Sequence, residues 1–327
     1  MPSILDNLPT ANEFEEFPKI ELHLHLTGSV SIDMLSKLSG LSKDEVANKM
    51  IARGKIDGYD FTTKTDFANS LLQTKENLYL VSADLVDRLA KQNVVYAEIR
   101  LTPMLHLEKG LSYDDVIESV ISGLNTNPKV KTNLILCMLR GATQYMNAET
   151  LKYALKYLGK GVCALDILGD EIQYPLKDYM KLFELAALEK IPYTIHAGRS
   201  VEDMYNALIL HTKRISNGIK ATFDIDLLRI IYYKKILLEL SPSNDVMLDE
   251  VDNIRNHPIN FLEKNHFNIC VNTDSGTISN VNLSKEYKLL SDVFNFTIDD
   301  FKKMNLNAIN SSFMTVEEKE KYSKLFK

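Results

Sequence analysis

Lys19-Ile20-Glu21-Leu22-His23-Leu24-His25-Leu26, followed by Thr27-Gly28-Ser29, is the stretch on which the reading of this chain turns. A run of this composition closed by Thr-Gly-Ser reads as a strand giving way to a loop. Successive side chains of an extended strand point to opposite faces, so His23 and His25 share one face while Leu22, Leu24 and Leu26 share the other. Two imidazoles on one face can share a metal ion, and they can equally be ordinary hydrogen-bonded residues. The pair alone does not choose between these readings.

Working outward, seven further apolar, β-rich runs follow, at residues 94–101, 132–139, 162–168, 193–197, 214–217, 236–241 and 268–273, with helical patterns between most of them. Strands alternating with helices predict a parallel sheet buried on both faces, and eight such units predict closure into a (β/α)8 barrel. The 327-residue length suits one barrel domain spanning residues 1–327, without a repeat or linker to mark a second. The connection between the first two strands, residues 31–92, is long enough for several additional helices, and a cap over the barrel mouth is expected there. Within it, residues 56–61 read as a loop, and residues 66–91 as one long helix capped near Thr65 or Asp66. Two C-terminal helices are expected after Thr297 and Thr315, the latter with Glu318 at capping-box spacing.

Composition excludes several classes. The formal charge is −6, charged residues make up 25% of the chain, and lysines and arginines are scattered, which argues against a nucleic-acid partner. No apolar run approaches the roughly 18 residues of a membrane span, and residues 1–17 are acidic, so a cytoplasmic location is the default expectation. Cys137, Cys163 and Cys270 each lie in apolar strand-like stretches and are expected to be buried free thiols. The oligomeric state is not legible.

Barrel enzymes carry their chemistry at the C-terminal ends of the strands. His23 and His25 close the first expected strand, His196 lies in the fifth and Asp274 follows the eighth. Three imidazoles and a carboxylate form a plausible shell for one zinc ion. Zinc lowers the pKa of a bound water to about 7, which makes hydrolytic attack the natural chemistry, with Asp274 as a candidate base. The remaining histidines, His106, His211, His257 and His266, fall in helical or loop contexts and are expected to be surface or capping residues.

The stretch from Pro18 to Ser29 resembles the opening motif of the adenosine deaminase family. The resemblance continues through Val94-Val95-Tyr96-Ala97-Glu98-Ile99-Arg100-Leu101-Thr102-Pro103 and Leu165-Asp166-Ile167-Leu168-Gly169-Asp170-Glu171. It extends to His196-Ala197-Gly198, Leu240-Ser241-Pro242-Ser243-Asn244 and Asn272-Thr273-Asp274. It implies a zinc-dependent barrel hydrolase that replaces the 6-amino group of a purine nucleoside or related compound with oxygen, by attack of a metal-bound hydroxide. By motif, His23, His25, His196 and Asp274 would be the zinc ligands. Thr27, Gly28 and Gly169 would lie against the substrate, although many members have Asp where this chain has Thr27.

Three positions depart from the family pattern. Arg199 stands where the family has a Glu that protonates a ring nitrogen, Asn217 where it has a His beside the attacking oxygen, and Ser275 where a second Asp meets the purine. A guanidinium is effectively always protonated and cannot serve as that acid. Loss of such proton transfer commonly costs about 10² to 10⁴ in rate. Asn217 can still hydrogen-bond a water, and Ser275 can still meet substrate. Asp170 and Glu171 could compensate, or could be helix-capping and solvent-facing acids. Arg199 could hold an anionic substrate, or form a salt bridge with Asp274 or Glu171. The sequence therefore favours a deaminase-type zinc hydrolase with weakened or redirected activity. The alternative is a catalytically inactive relative that binds a nucleoside-like ligand or a protein.

Overall fold

The computed structural model describes residues 8–327, so the first seven residues of the acidic N-terminal stretch lie outside the described residues. Eight parallel strands follow in chain order: β1 Lys19–His25, β2 Val94–Leu101, β3 Lys131–Leu139, β4 Val162–Leu168, β5 Ile195–His196, β6 Arg214–Ser216, β7 Leu237–Leu240 and β8 Ile269–Val271. Regular ladders join β1 through β4 and β5 through β8. The two seams close by single parallel bridges, Leu165 with Tyr193 and Leu24 with Asp274. The result is the expected (β/α)8 barrel.

The seams are short for identifiable reasons. At the first, Pro192 offers only a carbonyl, which accepts from Leu165 N at 2.9 Å; β5 shrinks to two residues where the sequence suggested five. At the second, side-chain amides replace ladder partners. Asn272 Oδ1 accepts from Leu22 N at 3.0 Å and Asn305 Oδ1 from Ile20 N at 2.8 Å. Beyond them, His25 N donates to Asp274 O and Asp274 N to His23 O, both at 2.8 Å. This exchange fastens the ends of β1 and β8 together at the barrel mouth.

Four helices separate β1 from β2: Ile32–Ser39, Lys43–Met50, Gly58–Leu71 and Lys75–Lys91. Two expectations need correction. The supposed loop at residues 56–61 contains the start of a helix, because the Asp57 side chain accepts from Asp60 N and caps it. The supposed single helix over 66–91 breaks at Leu72-Gln73-Thr74. There Thr74 caps the second helix, Asn77 Nδ2 donates to Leu71 O, and Gln73 bonds Leu105 O and Glu108 N of the loop after β2. Between the second and third of these helices, Ala52 N donates to Ile278 O and Ile56 N to Met247 O. Lys55 pairs with Asp249, so this segment is pinned to the loops after β7 and β8, as a cap over the mouth requires.

The last two helices, Ile298–Ser311 and Val316–Ser323, begin at Thr297 and Thr315 with complete capping boxes through Asp300 and Glu318. All three cysteines are buried and free, as expected. No helix among the described residues is long and apolar enough to cross a membrane.

Beneath the cap, the helix Leu283–Phe294 buries Glu286 completely. One carboxyl oxygen accepts from Ser243 N at 3.0 Å, the other has no partner among the described residues, and burial pushes the pKa up to about 8. Below about pH 4.5 the acid is protonated in both folded and unfolded chains. Between 4.5 and 8 only the folded chain keeps the proton, so folding is increasingly disfavoured as pH rises. Glu286→Gln is therefore expected to stabilise the protein more at pH 8 than at pH 5, read as the urea midpoint at each pH; an equal shift at both would contradict this assignment.

Candidate metal centre and active site

Along the inner face of β1, Glu21, His23 and His25 alternate with the leucines, and the strand carries both imidazoles to the mouth. His196 ends β5 beside them. His23 Nε2 lies 3.1 Å from His25 Nε2 and 3.0 Å from His196 Nε2. Asp274 completes the group, with Oδ2 3.6 Å from His23 Nε2 and Oδ1 3.6 Å from His25 Nε2. Asp274 takes a left-handed backbone (φ +57°), a region Asp tolerates better than most residues, to bring its carboxylate inward while its main chain bridges to β1.

The protonation pattern follows from the surroundings. Burial, reinforced by Arg100 and the neighbouring imidazoles, holds His23 well below the usual histidine range; burial and His196 do the same for His25. Both rings are therefore neutral and can offer lone pairs. His196 Nδ1 lies 2.8 Å from Asp166 Oδ2. Although burial opposes it, the Arg100 guanidinium and the hydrogen bonds from His196 and Arg100 hold the Asp166 carboxyl below its ordinary pKa, so it is an anion that accepts from Nδ1–H and directs the Nε2 lone pair at the cluster. His23 Nδ1 lies 3.5 Å from Glu239 Oε2 and makes no hydrogen bond among the described residues.

These carboxylates belong to an ion network on the barrel's inner face. Arg100 Nε meets Asp166 Oδ2 at 2.8 Å, and its Nη2 meets Glu239 Oε2 at 2.6 Å and Ser216 Oγ at 2.8 Å. Arg214 Nε meets Glu239 Oε1 at 2.6 Å, and its other arm pairs with Glu98. Two guanidinium groups thus face three acids, Asp166, Glu239 and Glu98, and Asp274 lies beside the imidazoles, all of them buried. A divalent cation among the three imidazoles would make up the missing positive charge. The three facing nitrogens fit that ion too, since tetrahedral zinc with ligands at 2.0–2.1 Å sets nitrogens about 3.3 Å apart.

Other expected residues surround the cluster. Ser275 Oγ donates to Asp274 Oδ1 at 3.1 Å, and Asn244 Nδ2 to Asp274 Oδ2 at 2.9 Å. Thr27 Oγ1 donates to Asn69 Oδ1 at 3.0 Å. Asn217, left-handed at φ +67°, is buried with its Oδ1 lacking a partner among the described residues. Gly169 has φ +123° and lies against Arg140, where a Cβ would come within 2.9 Å of the Arg140 Cβ. Gly28 lies against Ser275, and a Cβ there would sit 2.7 Å from the Ser275 Cβ. Gly28→Ala is accordingly expected to displace the β8 loop and cost about 1–3 kcal/mol in urea unfolding; an unchanged midpoint would contradict the contact.

Several expectations are corrected. Asp170 turns away, its Oδ1 accepting from the amides of Ile172 and Gln173. Glu171 is buried rather than solvent-facing, with Oε2 accepting from Arg199 N at 2.9 Å. The Arg199 side chain does form an ion pair with a nearby acid, though with neither Asp274 nor Glu171. Its Nε lies 3.4 Å from Glu250 Oε1, and Lys220 holds the other oxygen of Glu250 at 2.9 Å. Of the four remaining histidines, His211 and His266 are exposed, but His106 and His257 are buried, bonded to Leu72 O and Asp245 respectively. The sequence reading assigned no role to Arg100, Asp166, Arg214, Glu239 or Asn244. Their signal was an ionisable residue inside an otherwise apolar strand, as at Glu98 and Arg100.

Fold and site together define a (β/α)8 barrel with a candidate metal centre at its mouth, the architecture of a metal-dependent hydrolase. The chain belongs to the adenosine deaminase family, a family of aminohydrolases: the profile described as "Adenosine deaminase" matches residues 18–326. It is 33% identical over 321 residues to the adenosine deaminase of Clostridium perfringens strain 13, covering 93% of this chain and 96% of the relative. Among solved structures it is similar to the N6-methyl-AMP deaminase of Arabidopsis thaliana, with TM-score 0.86, 21% identity and coverage of 97% and 98% of the two chains. It is likewise similar to an amidohydrolase of Burkholderia ambifaria solved with bound zinc, with TM-score 0.83, 21% identity and coverage of 97% and 92%.

Proposed function

We propose that this chain is, as a single functional domain, a zinc-dependent deaminase acting hydrolytically at carbon 6 of an amino-purine, in a nucleoside or a closely related compound. The observation that carries the reading is the convergence of three neutral-capable imidazole nitrogens and Asp274 at a barrel mouth, in a chain of the adenosine deaminase family. His23, His25, His196 and Asp274 would hold the ion. When bound, zinc would acidify a water and so supply a nucleophile at neutral pH. Asp274, fixed by Asn244 and Ser275, is placed to take a proton from that water. Asn217 would orient the water or the departing amine, a role its unpartnered Oδ1 supports. Gly28, Thr27, Gly169 and Ser275 would line the substrate, with Gly169 supplying the left-handed backbone that turns the chain at the end of β4. The names of the relatives bracket the group removed: adenosine carries a 6-amino group and N6-methyl-AMP a 6-methylamino group. A small-molecule substrate in the cytoplasm, with no nucleic-acid or membrane partner, completes this reading.

One observation favours a second reading. Arg199 stands in the position of the expected acid and is engaged with Glu250, which suits a silent relative that binds a nucleoside-like ligand or a protein. The discriminating experiment offers protein loaded with one equivalent of zinc to adenosine, 2′-deoxyadenosine, adenine and N6-methyl-AMP, and measures ammonia or methylamine. Turnover of at least one supports deamination. No turnover of any, with zinc bound stoichiometrically, overturns it and leaves the second reading.

A further inference from the structure

Adding a water oxygen to carbon 6 pushes the C=N electron pair onto the adjacent ring nitrogen, which must then take a proton. Arg199, in the position of the expected acid, cannot supply one. Of the other acids at these strand ends, Asp170 spends its carboxylate on its own backbone, and both oxygens of Asp274 are engaged by Asn244, Ser275 and the imidazoles. Glu171 differs from both. It follows Gly169 at the end of β4, is only 3% exposed, and its Oε2 grips the backbone amide of Arg199 itself. Its Oε1 makes no hydrogen bond to protein among the described residues, so it is left free for another partner. We propose that Glu171 is the proton donor to the ring nitrogen, acting from the neighbouring strand end in place of the side chain that position 199 lacks.

This assignment rests on the deaminase reading. Glu171 gives its proton to the ring nitrogen as the carbon–oxygen bond forms, and the nitrogen keeps it. The carbon–nitrogen bond then breaks. Of the two protons of the consumed water, one reaches the departing amine through Asp274 and the other restores Glu171. The charged groups facing Glu171 are Arg140 from the end of β3, and His196 and Arg199 from β5 and its loop; all three favour its anion, and burial outweighs them to raise its pKa. The acid is thus available nearer neutral pH than an ordinary carboxyl.

Glu171→Gln keeps an oxygen for the Arg199 amide and removes only the proton. Its turnover on the substrate found above is expected to fall about 10² to 10⁴-fold, with KM little changed and the alkaline limb of the pH profile lost. Adding Arg199→Glu to Glu171→Gln should restore most of that loss, which a merely structural Glu171 would not permit. Activity of Glu171→Gln within threefold of wild type overturns the proposal. Calorimetry with purine riboside, which has a ring nitrogen to protonate but no amine to lose, tests the same residue without turnover. At pH 8, in buffers of different ionisation enthalpy, wild type should take up a proton on binding and Glu171→Gln should not. Binding without proton uptake, or no binding, overturns the assignment even if no substrate is found, whereas failure of the substrate panel alone counts only against the deaminase reading.

Discussion

Replacing His196 with alanine is expected to leave purified protein without stoichiometric zinc and to lower deamination at least about a thousandfold, while the chain stays folded. Zinc bound at such a site supplies several kcal/mol of stabilisation to the transition state, and each 1.36 kcal/mol is about tenfold in rate. In the barrel wall His196 acts through its backbone, by its ladder with Ser216, its N–H to Asp166 Oδ1 and its carbonyl to Arg140 Nη2, all of which alanine keeps, while its side chain joins Asp166 to the cluster. Elemental analysis, ammonia release and far-UV circular dichroism check the three parts separately. Undiminished zinc content would mean that the ion sits elsewhere.

The second large effect concerns stability. Arg100→Met should destabilise the protein by about 3–5 kcal/mol in urea unfolding, because it strips a fully buried guanidinium from Asp166, Glu239, Ser216 and Leu22 O while leaving the acids in place. Burial would then raise the pKa values of Asp166 and Glu239, weakening the hold of Asp166 on the His196 ring. Metal affinity should fall about 10- to 100-fold as a result, the size of effect seen when a ligand's hydrogen-bond partner is lost. A variant as stable as wild type would show that the network is not what supports the cluster.

The cluster of candidate metal ligands was legible in sequence because strand periodicity puts His23 and His25 on one face, and because His196 and Asp274 fall where two other strands end. Thr297 and Thr315 were legible because capping is local chemistry, confined to four residues. The network beneath the cluster was hidden for the opposite reason. Glu98, Arg100, Asp166, Arg214 and Glu239 lie on four different strands, β2, β4, β6 and β7, and only closure of the barrel brings them together. The division of residues 66–91 escaped periodicity because Gln73 is held by Leu105 and Glu108, more than thirty residues away. Arg199 stands out in the sequence by following His196-Ala197-Gly198 with a base rather than an acid. Its ion pair with Glu250 was not foreseeable, since Glu250 reaches the mouth from the loop after β7.

The most direct test of the central claim is anomalous diffraction at the zinc edge from crystals of the zinc-loaded protein. The account predicts one strong peak about 2.0–2.1 Å from the Nε2 atoms of His23, His25 and His196, with an Asp274 oxygen beside it. No peak there in protein that retains one equivalent of zinc, or a peak at other residues, would contradict it.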